Sequence, residues 1–175
     1  AQRGGRINTD AIDNSGGVDM SDHEVNLKIL LAQVVQEGKL STEARNKLLE
    51  KMTDEVAEEV LSNSDAHGKQ LSLDQIRSSR DPLFFSRTID WVCRKSGTTR
   101  TALTLPTDDD LARRAQARQG LTRPELAVLQ AHVKMHVFKE LVRSESSEIP
   151  GFNERVRRYF PKVIQSRYSD AIDTH

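Results

Sequence analysis

The chain is poor in the features that mark several common protein classes. It has one cysteine, its aromatic content is only 5%, and no apolar run approaches the length of a membrane span. Cys93 therefore cannot form an internal disulfide, and its apolar neighbours favour a buried free thiol over a nucleophile. The first residues also lack the apolar core of a secretion signal, so we expect a cytoplasmic protein with no membrane partner.

An excess of charge of one sign is also missing, because 26 Lys and Arg balance 26 Asp and Glu. A dedicated nucleic-acid binder neutralises phosphates with surplus basic residues, so the balance argues against nucleic acid as a partner. The basic clusters at 112–118 and 155–162 are interpreted as solvated helix faces. What the chain does contain is 30% charged residues and mostly aliphatic apolar residues, a composition typical of a helical protein.

The spacing of apolar residues predicts an all-α fold. We expect about six to eight helices, preceded by an irregular Gly-rich N-terminal segment that covers the first twenty residues. A break is expected at His67 and Gly68, and one helix is expected from 161 to 173. Local start signals, which are polar capping residues often followed by proline or an acid, occur at Ser41 or Thr42, Thr53, Asp81, Thr107 and Thr122.

The stretch NSGGVDMSDHE, residues 14–24, has the form of a binding turn. Gly16 and Gly17 lack a Cβ, so we expect positive φ angles and a close approach to a ligand there. Ser21 and Glu24 have the spacing of a capping box, which predicts that a helix begins at Ser21. The N-terminus of such a helix favours a carboxylate or a phosphate.

A metal site and a complete active site are not predicted. His132 and His136 have the i, i+4 spacing of half a zinc site, but the sequence HVKMH lacks the glutamate of the zinc-protease motif. We expect His136 to be a packed core histidine and His23 to have a local structural role. No Ser–His–Asp order, dinucleotide fingerprint or phosphate loop is present, so no catalytic residue is assigned.

Four stretches together resemble the large, bacterial type of NAD-specific glutamate dehydrogenase. The longest is RINTDAIDNSGGVDMSDHEVNLKILL at 6–31, a nearly continuous match to the pattern expected of that type. The others are GKLSTEARNKLLEKMTDEVAEEVL at 38–61, GLTRPELAVL at 120–129 and RYFPKVI at 158–164. The resemblance implies that 1–36 is the terminal piece of the catalytic region and that 37–175 is a helical C-terminal domain, truncated at its end.

The smaller hexameric glutamate dehydrogenases have a turn related to residues 14–24, and this resemblance implies roles for individual residues. It implies that Asn14, Gly16 and Gly17 contact the nicotinamide side of NAD. It also implies that Val18 and Ser21 contact glutamate, with the serine binding the distal carboxylate.

Two acidic residues depart from the pattern of that turn. Asp19 and Asp22 replace Thr and Tyr, and two carboxylates would repel a carboxylate substrate. Substrate binding at this turn therefore requires both of them to turn outward, toward helix N–H groups or toward Arg3 or Arg6.

The resemblance implies a parent enzyme that oxidatively deaminates L-glutamate to 2-oxoglutarate and ammonia with NAD. The resemblance also implies that the reactive lysine and aspartate lie upstream, in other parts of that enzyme. This chain has no strand–helix alternation, so it cannot hold NAD in a dinucleotide-binding fold of its own. We expect a fragment of a larger homo-oligomeric protein, inactive by itself. Two alternatives stay open: residues 38–175 are an interaction or oligomerisation module with no catalytic role, or the chain is a self-contained helical protein that binds a small anion at the glycine turn.

Overall fold

The computed structural model describes residues 1–144 and 149–174. These residues form ten α-helices and no strand, which confirms the all-α class and exceeds the expected number of helices. None of the helices in the described ranges is long and apolar enough to cross a membrane. The helices are α1 Asp10–Asp13, α2 Ser15–Gln36, α3 Thr42–Lys51, α4 Thr53–Arg80, α5 Pro82–Ser96, α6 Asp108–Gln116, α7 Arg123–Arg143, α8 Phe152–Tyr159, α9 Lys162–Arg167 and α10 Ser169–Thr174.

Local capping fixes the starts of four helices as predicted. The Ser41 hydroxyl accepts from a backbone N–H in the first turn of α3, and the Asp81 carboxylate does the same for α5. Thr107 and Thr122 precede α6 and α7, and each donates its backbone N–H to the acid three residues on. Each arrangement satisfies a backbone or side-chain group that would otherwise be unpaired at a helix end.

Two glycines end helices where the sequence predicts it. Gly38 and Gly97 have φ angles of +72° and +63°, the left-handed conformation that side chains with a Cβ rarely adopt. The N–H of Gly97 reaches back to the carbonyl of Cys93 and closes α5.

Other expected boundaries are wrong. α4 runs without a break through His67 and Gly68. A glycine inside a helix costs only about 1 kcal/mol relative to alanine, and tertiary contacts on this part of α4, such as the complete burial of Leu71, outweigh that cost. The expected helix from 161 to 173 is divided at Tyr168, whose backbone is not helical. The irregular N-terminal segment ends at residue 9 rather than 20, because α1 and α2 begin earlier than predicted.

The chain divides into two compact units, each built from two segments. The first unit contains residues 1–14 and 64–144. Its core joins the second part of α4 to α5, α6 and α7 through buried apolar side chains. The most deeply buried of them are Leu71, Ile89, Val92, Leu121 and Ala127.

The second unit contains residues 15–63 and 145–175. Its core joins α2, α3 and the first part of α4 to the C-terminal helices. The buried members include Leu27, Leu31, Met52, Ile164 and Ile172. The predicted functional boundary between residues 36 and 37 concerns the parent enzyme and stays a prediction.

Several apolar residues that lie at helical spacing are exposed. Leu83 and Phe84 of α5 project outward, and Phe85 takes the buried position. The second half of α7 also leaves its apolar side chains uncovered. Helical periodicity identifies an apolar stripe but does not show whether a neighbouring element covers it.

Candidate functional site

The residues singled out by the sequence lie at the junction of α1 and α2. Asn14 follows α1 and caps its C-terminal end, and its side chain is exposed. Gly16, Gly17 and Val18 lie in the first turn of α2, and Ser21 lies in its second turn. Val18 is 62% exposed and Ser21 is also exposed, so both side chains are accessible to a ligand.

The expected glycine turn is wrong in its geometry. Gly16 and Gly17 are helical, and neither is among the residues with positive φ. α2 begins at Ser15, so Ser21 is inside the helix and does not cap it. Two helical glycines cost roughly 2 kcal/mol in total relative to alanine, and the buried face that α2 presents from His23 to Val34 offsets this.

Helical geometry nevertheless places the two predicted substrate residues together. Val18 and Ser21 are three residues apart, about 300° around the helix, so they share one face. Val25 and Ile29 continue this face and are 50% and 57% exposed. In the described part of the chain the Ser21 hydroxyl has no hydrogen-bond partner. The face therefore offers one unpaired hydroxyl beside apolar groups.

Asp19 points away from this face, although not toward the groups expected. It lies about 200° around the helix from Ser21. Its Oδ2 accepts from the Asn63 side chain at 2.9 Å, and its Oδ1 lies 3.7 Å from Nε2 of His23. Asp19 therefore turns away from Ser21, and among the described residues neither Arg3 nor Arg6 pairs with it. Asp22 remains exposed.

The inner side of α2 is held by an aromatic contact. The His23 imidazole is buried and stacks on the Tyr159 ring of α8, with ring centroids 4.4 Å apart and planes within 7°. The Tyr159 hydroxyl accepts from Asn26 at 2.9 Å. Burial raises the pKa of Tyr159 above its ordinary value, with the carboxylates of Asp22 and Asp19 adding to the effect, so the phenol stays neutral.

The segment before Asn14 is held by a different set of contacts, within the first unit. Arg123 of α7 donates from Nε to the Asn8 side chain at 2.7 Å and from Nη1 to Ser72 at 2.8 Å. Asn8 in turn donates to Asp13 of α1 at 2.8 Å. These bonds fix the short helix that ends at Asn14.

Sequence reasoning missed Tyr159 and Arg123 as supports of the site. Tyr159 is 133 residues from Asn26 and Arg123 is 115 residues from Asn8, so no local pattern identifies these pairings. Both do lie in stretches that resemble the dehydrogenase, which is the one signal that singles them out.

The histidine pair of α7 has structural contacts. His136 packs edge-to-face against Trp91 with centroids 4.7 Å apart, and His132 Nδ1 lies 3.1 Å from the Ser96 hydroxyl. Among residues 1–144 and 149–174 no group of three or more His, Cys, Asp and Glu residues is arranged to hold a metal.

Comparison with known proteins assigns both ends of the chain. Residues 1–74 match the family model described as "Bacterial NAD-glutamate dehydrogenase, catalytic domain". Residues 118–175 match the model described as "Glutamate dehydrogenase, C-terminal". The first match contains the junction of α1 and α2, and the second contains the whole of α7, α8, α9 and α10.

Three bacterial relatives, each named NAD-specific glutamate dehydrogenase, extend this result along the whole chain. The proteins from Mycobacterium tuberculosis and Pseudomonas aeruginosa are each 40% identical over 172 residues, or 98% of the chain. The protein from Halomonas elongata is 39% identical over all 175 residues. The chain spans about 11% of the length of each relative.

The fold and these matches together define the chain as an all-α segment that is similar to part of the bacterial NAD-specific glutamate dehydrogenases. It belongs to the family of NAD-specific glutamate dehydrogenases.

Proposed function

We propose that the parent protein is an NAD-dependent glutamate dehydrogenase that converts L-glutamate to 2-oxoglutarate and ammonia. The observation that carries the proposal is the match of residues 1–74 to the catalytic domain of that family. This match includes every residue that the sequence singles out for contact with substrate or cofactor. The chain supplies α1 and the start of α2, and contacts within each compact unit hold these two helices.

Ser21 and Val18 are the proposed substrate contacts. The unpaired Ser21 hydroxyl is a suitable donor to the distal carboxylate of glutamate, and a hydrogen bond to a charged group is worth about 1.5–3 kcal/mol. Val18 lies on the same face and offers an apolar surface for the methylene groups of the substrate. Asp19 is turned to Asn63, on the side of α2 away from Ser21, so its carboxylate lies farther from the proposed position of the substrate carboxylate and repels it less.

Asn14, Gly16 and Gly17 are the proposed contacts to the nicotinamide side of NAD. The Asn14 side chain is exposed and makes no hydrogen bond in the described ranges, so its carboxamide can bind an amide or a hydroxyl group. NAD supplies the hydride acceptor when it is bound. The described residues form no strand and therefore no βαβ nucleotide-binding unit, so the rest of the dinucleotide is held by other parts of the parent enzyme.

We also propose the finer properties that the resemblance implies for the parent enzyme. It works in the cytoplasm, forms a homo-oligomer and has glutamate and 2-oxoglutarate as its small-molecule partners. The predicted division at residue 36 assigns the substrate contacts to the catalytic region and the following helices to a structural or regulatory role.

A second candidate function is that of an interaction or oligomerisation module with no catalytic contribution. One observation favours it: the second half of α7 leaves an apolar stripe uncovered, and such surfaces mark interaction sites. Phe138 and Val142 are 67% and 69% exposed, and Met135 is 50% exposed. The two functions differ in what they predict for Ser21: a substrate contact there affects catalysis, whereas an interaction module at α7 leaves Ser21 without a catalytic role.

The test is a pair of serine substitutions in the full-length enzyme. Ser21→Ala should lower kcat/KM for glutamate by about tenfold to a hundredfold, the loss expected for one hydrogen bond to a carboxylate. Ser62→Ala is the matched control, because Ser62 is also an exposed helical serine of the second unit. It should leave kcat/KM within about twofold. Equal kinetics for the two variants would favour the interaction module.

A further inference from the structure

The second compact unit contains a cleft that the proposed function does not use. It lies between α2 on one side and α8 and α10 on the other and has a volume of about 520 Å³. Small-molecule sites are typically concave, mostly apolar and about 300–1,000 Å³ in volume. Leu30 and Ile172 form its buried apolar floor, and Val156 and Phe160 form an apolar wall.

One polar atom in the wall of this cleft is unpaired. Oε1 of Gln33 is buried and makes no hydrogen bond. A buried acceptor without a donor is destabilising, and such groups are rare in native proteins. Rotation of the Gln33 amide would turn Oε1 toward the cleft, where an N–H or O–H group of a ligand would donate to it.

A cation at the cleft is also unpaired. Arg155 of α8 lines the cleft and forms no ion pair with a described carboxylate. The two other arginines of α8 do form ion pairs: Arg157 pairs with Asp173, and Arg158 pairs with Glu154. Of these three arginines in about one turn of α8, two are paired with a carboxylate, and the third, Arg155, lines the cleft and has no paired carboxylate among residues 1–144 and 149–174.

We propose that this cleft binds a small organic anion that has an apolar body and an N–H or O–H donor. The apolar body packs on Leu30, Phe160 and Ile172, the anion pairs with Arg155, and the donor reaches Gln33. Glutamate does not fit this description, because it has no apolar body of that size and carries two carboxylates. The site is therefore distinct from the proposed substrate contacts and does not depend on the proposed enzyme activity.

The probe for this site is 6-anilinonaphthalene-2-sulfonate, which has two aromatic groups and carries its sulfonate and its free N–H donor at opposite ends of the naphthalene ring. Titration of the folded 175-residue chain should give a saturable rise in fluorescence with one site per chain. N-phenyl-2-naphthylamine has the same apolar body and N–H without the sulfonate. Its affinity should be lower than that of the sulfonate probe, because it has no anion to pair with Arg155.

Three variants test the assignment of the groups. Arg155→Gln should weaken sulfonate binding about threefold to fivefold, as expected for an exposed ion pair, and should leave the neutral probe unaffected. Arg158→Gln is the matched control on the same helix, because Arg158 does not line the cleft, and it should change neither affinity. Ile29→Glu places a carboxylate at the cleft from a position that is 57% exposed, and it should weaken the sulfonate at least tenfold without unfolding α2.

Circular dichroism establishes that each variant is folded. If the unsubstituted 175-residue chain, Arg155→Gln and Ile29→Glu bind the sulfonate probe with equal affinity, the proposal is overturned and the dye binding is adventitious. The full-length enzyme provides a second arm. Saturable binding to the full-length enzyme that is weakened by Arg155→Gln would support the proposal. Binding by the 175-residue chain without binding by the full-length enzyme would show that another protein segment occupies the cleft. That result would also overturn the proposal.

Discussion

The imidazole of His23 lies flat against the phenol ring of Tyr159, with a centroid separation of 4.4 Å. His23 belongs to the segment that matches the catalytic domain, and Tyr159 belongs to the segment that matches the C-terminal region of the family. Both lie in one compact unit, so the two family segments share a core. The C-terminal helices therefore help to hold α2, the helix that carries Ser21.

The His23–Tyr159 contact predicts unequal effects for two substitutions of the tyrosine. Tyr159→Phe keeps the stacked ring and loses only the hydrogen bond from Asn26, so it should lower the free energy of unfolding by about 1 kcal/mol. Tyr159→Leu also loses the ring stack and should cost at least about 1 kcal/mol more. Urea unfolding of the two variants measures the difference, and equal midpoints would show that the stack contributes nothing.

Two glycine-to-alanine substitutions should have opposite effects on stability. A Cβ on Gly120 would lie 2.2 Å from the Ser78 hydroxyl oxygen and 2.6 Å from the Ser79 backbone nitrogen. That oxygen also accepts from the Leu121 N–H at 2.8 Å, so there is no room for it to move freely. Gly120→Ala should destabilise by about 1–3 kcal/mol.

Gly68→Ala is the matched control for that substitution. Gly68 lies inside α4, and an added Cβ there meets nothing within 4 Å. This variant should stabilise the chain by about 0.5–1 kcal/mol, because alanine is the better helix former. Thermal unfolding of both variants provides the check. A stabilised Gly120→Ala, or a strongly destabilised Gly68→Ala, would contradict the packing described for these positions.

The buried ion pair between Arg114 and Glu125 predicts a loss of stability in acid. Burial alone would raise the pKa of Glu125, but the hydrogen bonds from Arg114 and Thr122 outweigh it and hold this pKa below its ordinary value of 4.5. The unfolded chain then binds more protons than the folded chain in acid. The stabilisation is therefore present above about pH 4.5 and is lost as the pH falls below that value.

Asp110 also contributes to the loss of stability in acid, because its hydrogen bonds with Thr107 and Arg113 lower its pKa to about 2. Glu125→Gln should remove the Glu125 part of the pH dependence and should destabilise the chain at pH 7 by about 3 kcal/mol, because Arg114 is left without its counter-charge. Urea midpoints measured from pH 3 to pH 7 distinguish the cases. If the urea midpoints of the unsubstituted chain and of Glu125→Gln change with pH in parallel, the pKa of Glu125 is not lowered in the folded chain.

The isolated 175-residue chain should show no glutamate-dependent reduction of NAD. Its described residues include no nucleotide-binding sheet, and its proposed contacts to substrate and cofactor lie on one exposed helix start. The measurement is NADH absorbance with a high concentration of the purified chain, with the full-length enzyme as the positive control. Turnover that survives repeated purification would contradict the assignment of the catalytic groups to other parts of the parent.

The sequence alone predicts a helix boundary correctly where that boundary depends on groups three or four residues apart. This holds at the helix starts marked by Ser41, Asp81, Thr107 and Thr122, and at the helix end marked by Gly97. Each of these signals acts through backbone groups in a single turn.

Local signals were insufficient where tertiary contacts decide the conformation. The Ser21 and Glu24 pattern was interpreted as a helix start, yet the packing of α2 extends the helix back to Ser15 through two glycines. Gly68 is the same case in α4. For the candidate site, the resemblance indicated the residues, but the supporting contact of Tyr159 with His23 joins positions 136 residues apart, which no local pattern encodes.

The most direct test of the account uses inhibitors of the full-length enzyme that differ only in the distal carboxylate. Glutarate has both carboxylates of the substrate, whereas pentanoate lacks the distal one. Ser21→Ala should raise the inhibition constant of glutarate by about tenfold or more and leave that of pentanoate unchanged, since the lost hydrogen bond goes to the distal carboxylate. Equal changes for the two inhibitors, or no change for either, would contradict the assignment of Ser21 as the group that binds the distal carboxylate.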